Sequence, residues 1–270
     1  MQYVAASPHP ALGRYVVRYC GYREFSSDPL RRRQAPYDGC PLILGFGGPI
    51  RLAGPAGVSR PTSFLAGMHD AAVVTEFVGA QAGVEVQLTP LGVYALLGRP
   101  MSDLTNQCVP LDALEAPDIA ELPHRIAEDV GWAARFARVD EVLLRRLQQS
   151  RVAPSPEIES AWCRLVASGG RVTVEQLASY TGWSRRHLLT RCQREIGLAP
   201  KALVRVVRFS RAAQRLVPMS GGAPPTTMTD VNIADLAAAC GYADHSHLVR
   251  DFHALAGCTP TQYAAEWQAA

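Results

Sequence analysis

Residues 169–216 hold ten basic side chains against only Glu175 and Glu195, a net +8 in a chain whose total is +3. Guanidinium and ammonium groups gathered this way attract anions, the phosphates of nucleic acid among them. If the stretch after Ser184 is helical, Arg185, Arg186, Leu189, Thr190 and Gln193 share one arc, and Leu188, Cys192 and Ile196 share the opposite face. Arg can reach a guanine edge or a phosphate, and Leu or Thr can touch a thymine methyl. The same division recurs later in the chain: His245, Ser246, Val249, Arg250 and His253 fall outward, while Leu248, Phe252 and Leu255 fall inward. One such face could be merely solvated. Two at matching places in a repeat point to a shared task.

A repeat supplies the elements that must hold these side chains. TVEQLASYTGWSRRHLLTRCQREIGLAPKAL runs from Thr173, and NIADLAAACGYADHSHLVRDFHALAGCTPTQY runs from Asn232. Leu177, Ala178 and Gly182 match Leu236, Ala237 and Gly241 at an offset of 59, and Leu188, Gly197 and Pro200 match Leu248, Gly257 and Pro260 at 60. One residue has been added in the turn. Thr173 can cap a first helix with Gln176 at the capping-box position, Gly182 and Gly241 can end that helix, and Ser184 and Asp244 can cap the next. Helix, tight turn and helix make the unit whose second helix enters a major groove.

Lys201–Val217 reads as a linking helix opened by Pro200. Lys201, Arg205, Arg208, Arg211 and Arg215 form a stripe on it that suits phosphate contact, although a solvated basic face has the same pattern. Residues 217–270 carry Arg250 against five acids, a net −4. The first unit should therefore supply most of the electrostatic affinity. The second should bind with few contacts, bind weakly, or meet another protein.

The rest of the chain sets the context. At 270 residues, two domains with separate cores are affordable. Seven cysteines, with no C-x-x-C pair, fit neither a zinc site nor a disulfide framework and suit a reducing cytoplasm. No cofactor or metal is expected, nor a leader or membrane span. Lys201 is the only lysine beside 26 arginines, a bias typical of a GC-rich genome. Residues 1–112 read as short strands, among them Pro41–Phe46, Ala72–Val78 and Val84–Leu88, and favour a β-sandwich or small barrel. From Ile119 to Gln149 the period is helical, broken near Gly131, with an apolar stripe from Leu122 to Leu147. Residues 151–156 read as a linker. The fold class is α+β: a β-rich, sensor-like domain over 1–112, a helical connector over 113–156, and an all-α double helix-turn-helix domain over 157–270.

Over Glu157–Trp267 the sequence resembles the AraC/XylS family of bacterial transcription regulators, most closely in LAAACGYADHSHLVRDFHALAGCTPTQY. It departs in the first recognition helix, where Leu188, Thr190 and Cys192 stand in place of the family's usual L-x-R-x-F. The connection Val217–Asp230, with Gly221-Gly222 and Pro224-Pro225, is longer than the family usually needs. The resemblance implies DNA contacts from Arg185, Arg186 and Thr190 in the first helix and His245, Ser246 and Arg250 in the second. Helix geometry adds Gln193, Lys201 and Arg205. The family also implies double-stranded DNA as partner, and a small-molecule effector, RNA polymerase and a second copy of the chain as candidates. A dimer could use the Ile119–Gln149 stripe, unless the domain covers that stripe itself.

Other groupings are weaker. His69-Asp70 has no third ligand at diagnostic spacing, Cys40 leads into an apolar run and reads as core, and Arg31–Arg33 reads as a solvated loop. Gly45-x-Gly47-Gly48 lacks the strand–helix context of a phosphate loop. His245, His247 and His253 point in different directions on one helix. Two rival readings stand: an enzyme whose catalytic domain is residues 1–112, revealed by a pocket with convergent ionisable groups, and a protein-interaction module, betrayed by salt-insensitive binding.

Overall fold

The computed structural model describes residues 1–217 and 232–269. The long connection expected over Val217–Asp230 lies outside the described residues from 218 onward. Eight strands form one antiparallel sheet: β1 (Gln2–Ala6), β2 (Val16–Gln34), β3 (Cys40–Gly45), β4 (Arg51–Gly54), β5 (Gly57–Ser59), β6 (Phe64–Ala66), β7 (Val73–Leu88) and β8 (Cys108–Pro110). The order is β1-β2-β7-β3-β6-β8, with β4 on β7 and β5 on β4. The two strands expected at 72–78 and 84–88 are a single β7, which pairs with β2 along most of its length. Gly79, at φ 84°, lies where the β2–β7 register slips between Ser26 and Leu30.

Arg31–Arg33 lie in β2, not in a loop. Each has a carboxylate: Arg31 with Glu76 at 3.3 Å, Arg32 with Glu24 at 2.8 Å and Arg33 with Glu266 at 2.9 Å.

Alternation gives the sheet two working faces. Tyr19, Leu42, Leu44, Val84 and Val86 are buried beneath the helices. Cys20, Tyr22, Ile43 and Glu85 line a cavity on the other face. The helices of this half are α1 (Pro90–Leu97), α2 (Pro117–Ala120), α3 (Leu122–Glu128) and α4 (Trp132–Gln149). Leu122, Ile126, Phe136, Val139, Val142 and Leu143 are buried against this same chain, which removes the exposed stripe on which a dimer through these helices was to rest. Val130 is 93% exposed and does not belong to that stripe.

The C-terminal half contains α5 (Pro156–Ser168), α6 (Val174–Thr181), α7 (Arg185–Glu195), α8 (Pro200–Leu216), α9 (Ile233–Ala239), α10 (His245–Ala256) and α11 (Pro260–Ala269). Both repeats therefore have three helices, α6–α8 and α9–α11. The two halves share one continuous apolar core. Polar contacts add to it: Arg33 grips Glu266 and the Ala256 carbonyl, Ser210 donates to Asp38 at 2.8 Å, and Thr105 donates to the Gly197 carbonyl.

Glu195 fixes the entry to the C-terminal half. Its carboxylate is fully buried, pairs with Arg191, and accepts from the backbone N–H and hydroxyl of Ser155, the residue that precedes α5. Replacing Glu195 with Ala removes the acceptor for all three donors and is expected to cost about 1–3 kcal/mol. Urea unfolding measures this; an unchanged midpoint would show that the carboxylate is dispensable.

Candidate nucleic-acid interface

Both helix-turn-helix units are built by the local devices that the sequence contains. Thr173 and Gln176 form a reciprocal capping box at the start of α6. Gly182 and Gly241 adopt φ 70° and 77° just after α6 and α9, a left-handed geometry that favours glycine. Ser184 accepts from the His187 N–H at 3.2 Å, and Asp244 accepts from the His247 N–H at 2.6 Å. Beyond each turn glycine an aromatic ring meets the edge of a histidine, Trp183 with His187 at 4.5 Å and Tyr242 with His247 at 5.2 Å. Tyr242 is buried as an anchor, while Trp183 is only partly covered.

The inward faces of the second helices are as expected. Leu188, Cys192 and Ile196 are buried in the first unit, and Leu248, Phe252 and Leu255 in the second. The outward faces are open: Arg185, Arg186, Thr190 and Gln193 on α7, and His245, Ser246 and Arg250 on α10. The C-terminal end of α7 packs against the 3-10 turn Met101–Leu104, but its outward flank is free of the N-terminal half. Arg185 is paired at 3.1 Å with Glu175, both highly exposed, so solvent screens the pair. The Thr190 hydroxyl donates to the Arg186 carbonyl at 3.1 Å and keeps lone pairs available.

The basic stripe on α8 needs correction. Lys201 is exposed, but Arg205 is half-buried and its Nε donates to Asp251 of α10 at 2.6 Å. Arg208 reaches the same carboxylate at 3.7 Å and lies over the Tyr242 ring at 4.8 Å. Arg211 lies against Gly169. Asp251 is 4% exposed, and a carboxylate so dry needs a cationic partner. Arg205 and Arg208 therefore bind the two units together before they meet any phosphate. The apparent charge split changes too, because the buried Asp251 is an acid of the second unit already neutralised by the first.

One groove remains where the units meet. It encloses about 400 Å³ between α6, α8 and α10, and Lys201, Arg205, Arg208 and Arg250 reach it. The structure thus brings together Lys201 and Arg205 of one unit with Arg250 of the other. Sequence reasoning put Arg208 on the basic stripe but not among the specific contacts, and the structure places it in this wall. Among the described residues no cluster of three or more His, Cys, Asp or Glu could hold a metal ion, and no helix is long and apolar enough to cross a membrane.

Two recognition helices with open polar flanks, joined by a buried linking helix, define a helix-turn-helix DNA-binding protein with a β-rich N-terminal region. Residues 177–266 match the family model described as a helix-turn-helix domain, and residues 5–110 match a domain of unknown function, DUF6597. The C-terminal domain is of the AraC type, in agreement with the resemblance read from its residues. No curated protein matches the chain. Among solved structures, ToxT from Vibrio cholerae aligns over 98% of this chain and 99% of its own, at 12% identity and a TM-score of 0.53. ToxT from strain SCE256, bound to an unsaturated fatty acid, aligns over 98% and 99% at 11% identity and a TM-score of 0.50. At such identities the likeness is one of fold.

Arg205→Ala should act first on stability, because it leaves Asp251 with the more distant Arg208 alone. Tyr242→Asp should open the second unit locally, by placing a charge at a buried ring position. Hydrogen exchange checks both: faster exchange confined to α9 and α10 is expected for Tyr242→Asp, and unaltered protection there would contradict its role as an anchor.

Proposed function

We propose that this chain is a sequence-specific transcription regulator of the AraC/XylS type, acting in the cytoplasm, whose N-terminal region tunes its grip on DNA in response to a small molecule. The observation that carries the DNA part is the pair of open flanks on α7 and α10, held by one linking helix. Set about one helical turn of duplex apart, such helices read successive major grooves on one face. Arg185, Arg186, Thr190 and Gln193 would meet bases or phosphates from the first, and His245, Ser246 and Arg250 from the second. Lys201, with Arg250 across the groove, would hold the backbone between them.

The sensing part is supported by a cavity in the N-terminal half, closed on one side by Trp267 of α11. A ligand lying there touches the last helix of the DNA-binding domain directly. ToxT, which has the same overall fold, binds an unsaturated fatty acid. A second copy of the chain and RNA polymerase are further partners in this reading.

The cavity also has the convergent polar groups that the enzyme reading asks for, so that reading must be met on its chemistry. His69 and Cys108 are the nearest to a catalytic pair, with Nε2 and Sγ 3.9 Å apart. Burial pushes the Cys108 thiol up to about 11 and pulls the His69 imidazole down. A neutral thiol beside a neutral imidazole is the inactive form of such a pair. Asp70 beside them is held by Asn106 at 2.8 Å. Ligand binding suits these groups better than nucleophilic chemistry.

Genome-wide mapping of binding sites tests the proposal and yields the operator. Once an operator is known, Arg186→Ala should lose about 1–3 kcal/mol and relax preference at one base position. Lys201→Ala should weaken all sequences alike and lower the slope of log affinity against log salt by about one. Duplex binding insensitive to salt would instead favour the protein-interaction reading.

A further inference from the structure

The N-terminal cavity has a volume of about 240 Å³ and admits a small organic ligand. Tyr22, Tyr37, Phe64, Phe77 and Trp267 supply much of its wall. Three charged side chains also face it: Glu24, Arg32 and Glu85. Glu24 and Arg32 neutralise each other across 2.8 Å, and the Tyr3 hydroxyl donates to Glu24 at 3.2 Å.

Glu85 has no such arrangement. It stands in the middle of the sheet on β7, opposite Cys20 of β2 and Ile43 of β3. Among the described residues its carboxylate makes no hydrogen bond or ion pair, and Arg18 acts on it only through its field. Burial raises its proton affinity above that of an ordinary carboxylate. In the same wall the buried hydroxyl of Tyr37 has no hydrogen-bond partner. His69 adds no positive charge, since burial favours its neutral form. The wall therefore carries two acids against one arginine, with the unmatched acid set among aromatic faces. Glu85 is half-buried, and a carboxylate set among ring faces with no direct partner still gives up hydration at a cost. A cation held by a charge-assisted hydrogen bond and by ring faces removes that cost.

We propose that this cavity binds a small organic cation, an amine with a compact apolar body, whose ammonium group pairs with Glu85 and whose body lies against Tyr22, Tyr37 and Trp267. The inference deepens the effector reading above and rests on it for its regulatory meaning. It also sets this cavity apart from a fatty-acid site, because a ligand carboxylate would bring a second negative charge beside Glu85.

Three probes of similar size separate the possibilities when titrated calorimetrically into the full chain at neutral pH: benzylamine, benzyl alcohol and benzoate. Benzylamine should bind roughly ten-fold or more tightly than benzyl alcohol, and benzoate should bind least. Glu85→Gln should erase the preference for the amine while benzyl alcohol still binds. Should that variant fail to fold, the order of the three probes on the unaltered chain decides alone. Benzoate equal to or tighter than benzylamine overturns the proposal, as does the silence of all three or an amine preference untouched by Glu85→Gln. Operator affinity with and without benzylamine keeps the two readings apart. Binding that depends on Glu85 with unchanged DNA affinity upholds the site and removes its regulatory role. A Glu85-independent response of DNA affinity does the reverse.

Discussion

Asp251 is almost dry, and the fold has answered with two arginines from a different repeat. Arg205 and Arg208 leave α8 and converge on this one carboxylate of α10, while the ring of Phe209 packs against Phe252 at 4.8 Å beside them. Removing either partner of a buried ion pair leaves an uncompensated charge, so the pair enforces geometry even where its net contribution to stability is small. Through it α8 becomes a rigid strut shared by both units. The open flanks of α7 and α10 can act on one duplex only while that strut keeps their relative placement. The same pairing leaves Lys201 and Arg250 as the more available cations at the junction, on either side of one groove.

A second set of contacts ties this strut to the sheet. Ser210, also on α8, holds Asp38, and Arg33 of β2 holds both Glu266 and the end of α10. The cavity shares a wall with α11 through Trp267, which lies on the same helix as Glu266. A ligand can shift an equilibrium only by as much as it binds one arrangement better than another. Direct contact between ligand and Trp267 provides such a difference without a long chain of intermediates. Arg33 directly follows Arg32 of the cavity wall on β2, so one strand serves both the pocket and the inter-domain clasp.

The helical half was legible because its signals are local. Capping residues, turn glycines, helix-starting prolines and an apolar period each act within a few positions, and all of them agree across two copies. The N-terminal half was legible only in class. α1 escaped because every residue from Pro90 to Leu96 is buried, which leaves no amphipathic period, although Thr89 at its start and Gly98 at its end are ordinary helix boundaries. Arg31–Arg33 looked like a solvated loop because their carboxylates come from β2, β7 and α11. In the candidate interface, the exposed residues of α7 and α10 followed from helix geometry alone. Arg205 did not, since its partner lies 46 positions away and only packing brings them together.

Glu85 shows the same limit from the other side. In sequence it is one polar residue in an alternating strand, VEVQL, where outward-facing acids are ordinary. Its meaning depends on β2 and β3 flanking it and on the ring of Tyr37 arriving from the loop between them. Strand alternation sets Glu85 on the face opposite Val84 and Val86. What alternation cannot contain is that this second face is also enclosed. A sheet with one face under helices and the other around a cavity leaves its centre only partly solvated, so a half-buried carboxylate placed there gains from a partner in the protein or in a ligand. Glu24 found Arg32. For Glu85 the chain supplies rings and a distant guanidinium, which leaves the direct partner to come from outside.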